Sequence, residues 1–143
     1  MCERMTIARQ KQRYAGVQSL LRGFAENGCL LLCLLSIIDE ANDFEQDFLT
    51  FIQVCHAENL VSQEYFVRDA LKILERFTAR KWKMQSAKSL PNKIDDESFT
   101  VEHWHNQRTG FDHFRRRYAD TLKDSVTVKE GFLAEYRIYS ILQ

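Results

Sequence analysis

Proline occurs once, at position 91, and glycine five times in 143 residues. Without a Pro- or Gly-rich linker, nothing in the composition divides residues 1–143 into more than one domain. Charge of one sign is equally lacking: twenty Lys and Arg balance twenty Asp and Glu, for a net charge of zero. That balance offers no overall pull toward nucleic acid or an anionic membrane, and neither is expected as a partner. Long hydrophobic runs are missing too. The longest, residues 29–35, falls far short of the roughly 20 residues that a spanning helix needs. The opening residues, MCERMTIARQKQRY, hold no apolar core of signal-peptide length. The expectation is a soluble, cytoplasmic protein with Cys2, Cys29, Cys33 and Cys55 reduced. With 45% hydrophobic and 28% charged residues, the composition is that of a globular domain rather than a disordered chain.

What is present changes character midway. Gly28 is expected to break any preceding element, and from Cys29 the apolar run CLLLCLLSII starts a helix that is apolar nearly all round and ends in Asp39 and Glu40, near Asn42. Such a helix belongs at the centre of the molecule. A second helix is expected over 43–56, where Phe44, Phe48, Phe51, Ile52 and Cys55 recur at three- and four-residue steps, with Asp43 and Gln46 as a capping box and Asn59 at its exit. A third is expected over 65–78, capped by Ser62. Beyond it the period falls to two. Lys81-Trp82-Lys83-Met84 alternates, and 99–105 reads as a strand with Phe99, Val101 and His103 on one face and Trp104 on the other. Residues 106–110 form a hairpin loop, 111–118 the return strand and 136–142 a last strand. Helices first and antiparallel strands second make an α+β domain, with N-terminal helices packed on a C-terminal antiparallel sheet of about four strands.

The groups that can carry chemistry are few. A thiol acts as a nucleophile in its thiolate form, and unpaired N–H groups at a helix start favour that anion. Cys29, directly after Gly28, stands where this would happen, whereas Cys33 lies one turn deeper among leucines and reads as a small buried hydrophobe. Three roles stay open for Cys29: core thiol, metal ligand with Cys33 and two histidines, or nucleophile. His56, His103, His105 and His113 are the available imidazoles, and spacing does not choose among them. His103 and His105 share one face of a strand, which reads as surface, with a metal pair as the lesser alternative. Trp82 and Trp104 read as packing residues. The run Arg115-Arg116-Arg117 reads as a solvated strand end, and as an anion-binding edge in the alternative.

Cys29 at the head of an apolar helix, "GFDHF" at 110–114, "YADTLKDSVTVKEG" at 118–131 and "AEYRIYSI" at 134–141 together resemble the papain-like cysteine peptidase superfamily. The likeness is to its compact bacterial branch, which includes the peptidase domains of bacteriocin-processing exporters. The order "GC…CL", "W.N.RTGF.HF", "D.L..S.TVKEG" also resembles, across residues 27–141, an uncharacterised family of phage and prophage-plasmid proteins. The resemblance implies a papain-like fold in which Cys29 is the nucleophile, His113 the general base and acid, and Asp120 the residue that orients the imidazole, with Asp124 as its substitute. It implies a small cysteine peptidase or related thiol hydrolase or transferase acting on a peptide or small-molecule substrate, with no cofactor and no metal. The chain departs from the superfamily in two places. Gln18, eleven residues before Cys29, stands too far upstream to match the usual oxyanion glutamine, and Asp120-Thr121 stands where Asp-Pro is usual. The missing glutamine, with a short chain that leaves little room for a substrate-binding subdomain, favours the rival expectation, a non-catalytic phage-type binding protein on the same scaffold that captures a host protein or a small anionic ligand.

Overall fold

Leucine and isoleucine have high burial value, and the run in which they are densest forms the central helix. In the computed structural model, which describes residues 28–90, 97–117 and 131–143, helix α1 spans Cys29–Asn42, α2 Phe48–Ala57 and α3 Ala70–Thr78. Four strands follow, β1 (Trp82–Ala87), β2 (Ser98–His105), β3 (Asp112–Arg117) and β4 (Phe132–Ile141). They form one antiparallel sheet in the order β1-β4-β2-β3. The domain is therefore α+β, with helices packed on a four-stranded sheet. Ten of the fourteen residues of α1 are buried, as its all-round apolarity requires. Its leucines and isoleucines meet Phe51 and Cys55 of α2, Ile73 and Leu74 of α3, and Trp82, Phe99, Val101, Tyr139 and Ile141 of the sheet in one core.

The capping expectations need correction. Asp43 does not start α2. It closes α1 in a left-handed conformation, φ 61°. The cap of α2 is Asp47, whose carboxylate accepts from the Thr50 N–H at 2.9 Å and its hydroxyl at 2.7 Å. Gln46 does not complete a capping box, because its N–H donates to the fully buried Asp39 carboxylate at 2.8 Å. That bond holds the connection between α1 and α2 out of helical conformation. Helix α3 starts five residues later than its apolar period suggests. Ser62 Oγ accepts from the N–H groups of Glu64 and Phe66, a turn tied by a Val61–Val67 bridge, and Asp69 caps the helix through the Lys72 N–H. Gly28 stands as the N-cap of α1, φ −87° and ψ −3°, and whether it breaks a preceding element lies outside the described residues.

The strands follow their two-residue period closely. Phe99 and Val101 of β2 point into the core, and Trp104 lies on the other face. The hairpin closes through the Asn106 N–H to the Phe111 carbonyl at 2.9 Å and the Gly110 N–H to the Asn106 carbonyl at 2.8 Å, with Gly110 at φ 76°. The last strand begins at Phe132, four residues before the expected start. Its pairing with β2 slips between His103 and Trp104: His103 opposes Glu135, but Trp104 opposes Leu133, so Ala134 is an extra residue. This bulge lies beside the polar end of the sheet.

Candidate functional site

The arginine run is neither a solvated end nor an open anion site. Alternation along β3 sends Arg116 toward α1 and its two neighbours to the opposite face. Arg116, only 5% exposed, donates to Ser36 Oγ at 2.7 Å and to Glu40 Oε2 at 2.8 Å, both on α1. On the far face Arg115 and Arg117 donate to Glu102, at 2.6 and 3.3 Å, and that glutamate is 2% exposed. Trp104 Nε1 donates to the same carboxylate at 2.9 Å, and the Arg115 guanidinium stacks over the indole. The three guanidinium groups thus compensate two glutamates on opposite sides of β3.

Cys29 is the first residue of α1 and is 8% exposed. No acidic residue lies in the first turn of the helix to oppose a thiolate. Its Sγ accepts a hydrogen bond from the backbone N–H of Phe114 at 3.3 Å. Because β3 ends the strand order, that N–H projects from the edge not paired with β2, and the sulfur sits against this edge. The chain thus brings Cys29 and the His113-Phe114 dipeptide together, though they lie 85 residues apart at the bonded positions. The imidazole of His113 belongs to the other side. Its strand partner is Trp104, and it shares a face with Arg115, while Phe114 packs toward the core. Burial, and then the positive charge of Arg115, push His113 down to about 4. At neutral pH this imidazole is uncharged.

Asp120 and Asp124 lie outside the described residues. Cys33 is buried in the core among leucines, and Cys55 is fully buried. Burial, with the Glu58 charge beside it, pushes the Cys55 thiol up to about 12, so it is inert at ordinary pH. Trp82 is a packing residue, against Phe99, with its Nε1 donating to Thr78 Oγ1 at 2.8 Å.

A second polar group was not foreseen. On the helix-facing side of the sheet, beyond Phe99 and Val101, His103 Nδ1 lies 2.7 Å from Glu135 Oε2 and Nε2 lies 2.9 Å from Asp112 Oδ1. His105 Nδ1 reaches the same Asp112 oxygen at 2.9 Å. Glu135 also accepts from Ser86 Oγ at 2.6 Å and from Arg137 Nε at 3.2 Å. Burial opposes the charge on Glu135, but the hydrogen bonds from Ser86 and His103 and the Arg137 guanidinium outweigh it and bring the carboxyl down to about 2. Asp112 is lowered in the same way, burial being outweighed by hydrogen bonds from His105 and His103. The one signal for this group in the sequence was the shared face of His103 and His105; its carboxylates come from two other strands. Among the described residues, no set of three or more His, Cys, Asp or Glu side chains is disposed to hold a metal ion, and no helix is long and apolar enough to cross a membrane.

Comparison with protein-family models, curated proteins and solved structures finds no match for this chain.

Proposed function

We propose that the chain is a small thiol hydrolase or transferase of papain-like arrangement, with Cys29 as nucleophile. The observation that carries this reading is the Phe114 N–H bond to Cys29 Sγ, which sets a helix-start thiol one residue from a histidine on the edge strand. A hydrogen-bond donor at sulfur favours thiolate over thiol. In the proposed reaction the sulfur forms a bond to a carbonyl carbon of the substrate and its proton passes to His113. The imidazolium then protonates the departing amine or alcohol as the carbonyl–heteroatom bond breaks. Water, or another acceptor, attacks the acyl-thioester and frees the sulfur. Asp120 is the proposed partner of the imidazole. A neutral His113 suits a general base.

The test is the rate of alkylation at Cys29, resolved by peptide mass spectrometry on the intact protein. Cys29 should react at pH 6–7 at least tenfold faster than an ordinary thiol of pKa about 8.5, and His113→Ala should slow it. A rate equal to that of an ordinary exposed thiol sinks the nucleophile assignment. A second reading, a non-catalytic binding protein, is favoured by the near-complete burial of Cys29 and by the placement of His113 on the opposite sheet face. It calls for no reaction of Cys29 with acyl electrophiles and no effect of His113→Ala on its alkylation.

A further inference from the structure

The Glu135–His103–Asp112 group spans three strands, β4, β2 and β3, and only one of its contacts runs along a single element. A carboxylate accepts hydrogen bonds and cannot donate them. Both ring nitrogens of His103 face carboxylate oxygens, at 2.7 and 2.9 Å, so the fully bonded arrangement carries an N–H on each nitrogen. The ring is 16% exposed, and in that setting charge-assisted bonds are strong and directional. His103 thereby ties the end strand β3 to the interior strand β4.

The same ring stacks on Phe114, with centroids 4.5 Å apart and planes 17° apart. Arg137, held by Glu135, places its guanidinium 4.9 Å from the centroid of that phenyl ring. Glu135 thus holds both the His103 ring and the Arg137 guanidinium against Phe114. The Phe114 backbone in turn makes the hydrogen bond to Cys29 Sγ. The extra residue of β4, Ala134, lies directly beside Glu135, and Lys88 Nζ donates to its carbonyl at 2.7 Å, which fixes the bulge that aims Glu135 at His103.

We propose that His103 is a positioning residue for the Cys29 thiol: clamped between Glu135 and Asp112, it holds Phe114 and the edge of β3 so that the Phe114 N–H meets the sulfur. The proposal rests on the reading of Cys29 as a reactive thiol. It assigns the acidity of that thiol to a group on the sheet as well as to the helix start. His103 touches neither sulfur nor substrate in this scheme and acts through Phe114.

The experiment pairs two variants with two readouts on the full chain. His103→Phe keeps a ring to stack on Phe114 and deletes both hydrogen bonds; Asp112→Asn keeps the shape of the more exposed partner and removes its charge. Cys29 alkylation by iodoacetamide, resolved by peptide, is followed from pH 6 to pH 10.5, and amide hydrogen exchange is followed at Phe114. A lost hydrogen bond to a charged acceptor lowers the thiolate population roughly tenfold. Both variants should therefore alkylate roughly tenfold more slowly at pH 6–7 and converge on the native rate near pH 10, where the thiolate forms in every variant. Exchange at Phe114 should quicken in both. A slowing of equal size at every pH marks lost access or stability rather than lost acidity and overturns the proposal, as does native-like exchange at Phe114. If native Cys29 reacts only like an ordinary thiol, the enzyme reading fails, and the Phe114 amide still decides whether His103 positions that N–H.

Discussion

Gly131 shows how much a single backbone position can depend on the absence of a side chain. Its φ is 129°, and a Cβ built there would lie 2.6 Å from the carbonyl oxygen of His105. Both the dihedral and the approach exclude an L side chain without a shift of β2 or β4. Gly131→Ala should cost about 1–3 kcal/mol, read as a lowered midpoint in urea unfolding; an unchanged midpoint would show that the neighbouring strand yields freely. His113 is the other residue whose surroundings set its behaviour. Held near 4 by burial and Arg115, its imidazole stays uncharged well below the ordinary histidine range. If it serves as the base for Cys29, the acid limb of kcat/KM should fall near pH 4. A limb near pH 6.5 would mean that another group, or a more exposed imidazole, takes the proton.

At the scale of elements, β3 is the strand on which the site depends, and its position rests on charge as much as on apolar packing. Arg116 crosses from β3 to α1, where Ser36 and Glu40 receive it. Removing one partner of a buried ion pair leaves the other charge unmatched, so Arg116→Ala should destabilise the fold by about 3 kcal/mol. Replacing the pair together by Met and Leu should cost much less, because the desolvation of both charges disappears with the pair. Urea unfolding of the single and double variants checks this; equal losses would show that Arg116 contributes through its apolar stem alone. Element boundaries also show where local signals mislead. The cap expected from the sequence, Asp43, and the observed one, Asp47, lie four residues apart. The buried Asp39 carboxylate, by taking the Gln46 N–H, keeps the connection non-helical and leaves Asp47 to cap.

Across the whole molecule, two buried or half-buried titrations point the same way in pH. His113 falls from an ordinary 6.5 to about 4 on folding, so between those values the unfolded chain binds more protons and acid favours unfolding. Its contribution is complete above about 6.5 and is lost as pH falls toward 4. Glu135 falls from 4.5 to about 2, so its contribution is present above 4.5 and is lost below it. The melting temperature should therefore decline steadily from pH 7 to pH 3. His113→Phe should flatten the upper part of that decline and Glu135→Gln the lower part. A native melting temperature that is level between pH 6.5 and 4 would contradict the assignment to His113.

The central burial of α1 and the two-residue alternation of β2 were determined by the sequence alone, because each is a matter of neighbours within one element. A run apolar on every side has only the core to occupy, and Phe99 and Val101 take the buried face wherever the strand is placed. Which groups meet Cys29 was decided by the tertiary structure. Glu135 stands 32 residues from His103, and Phe114 85 residues from Cys29, so only strand order, register and the bulge at Ala134 bring them together. Side chains on a strand change face at every residue, and this one-residue step puts Phe114 against the helices and His113 on the far side of the sheet.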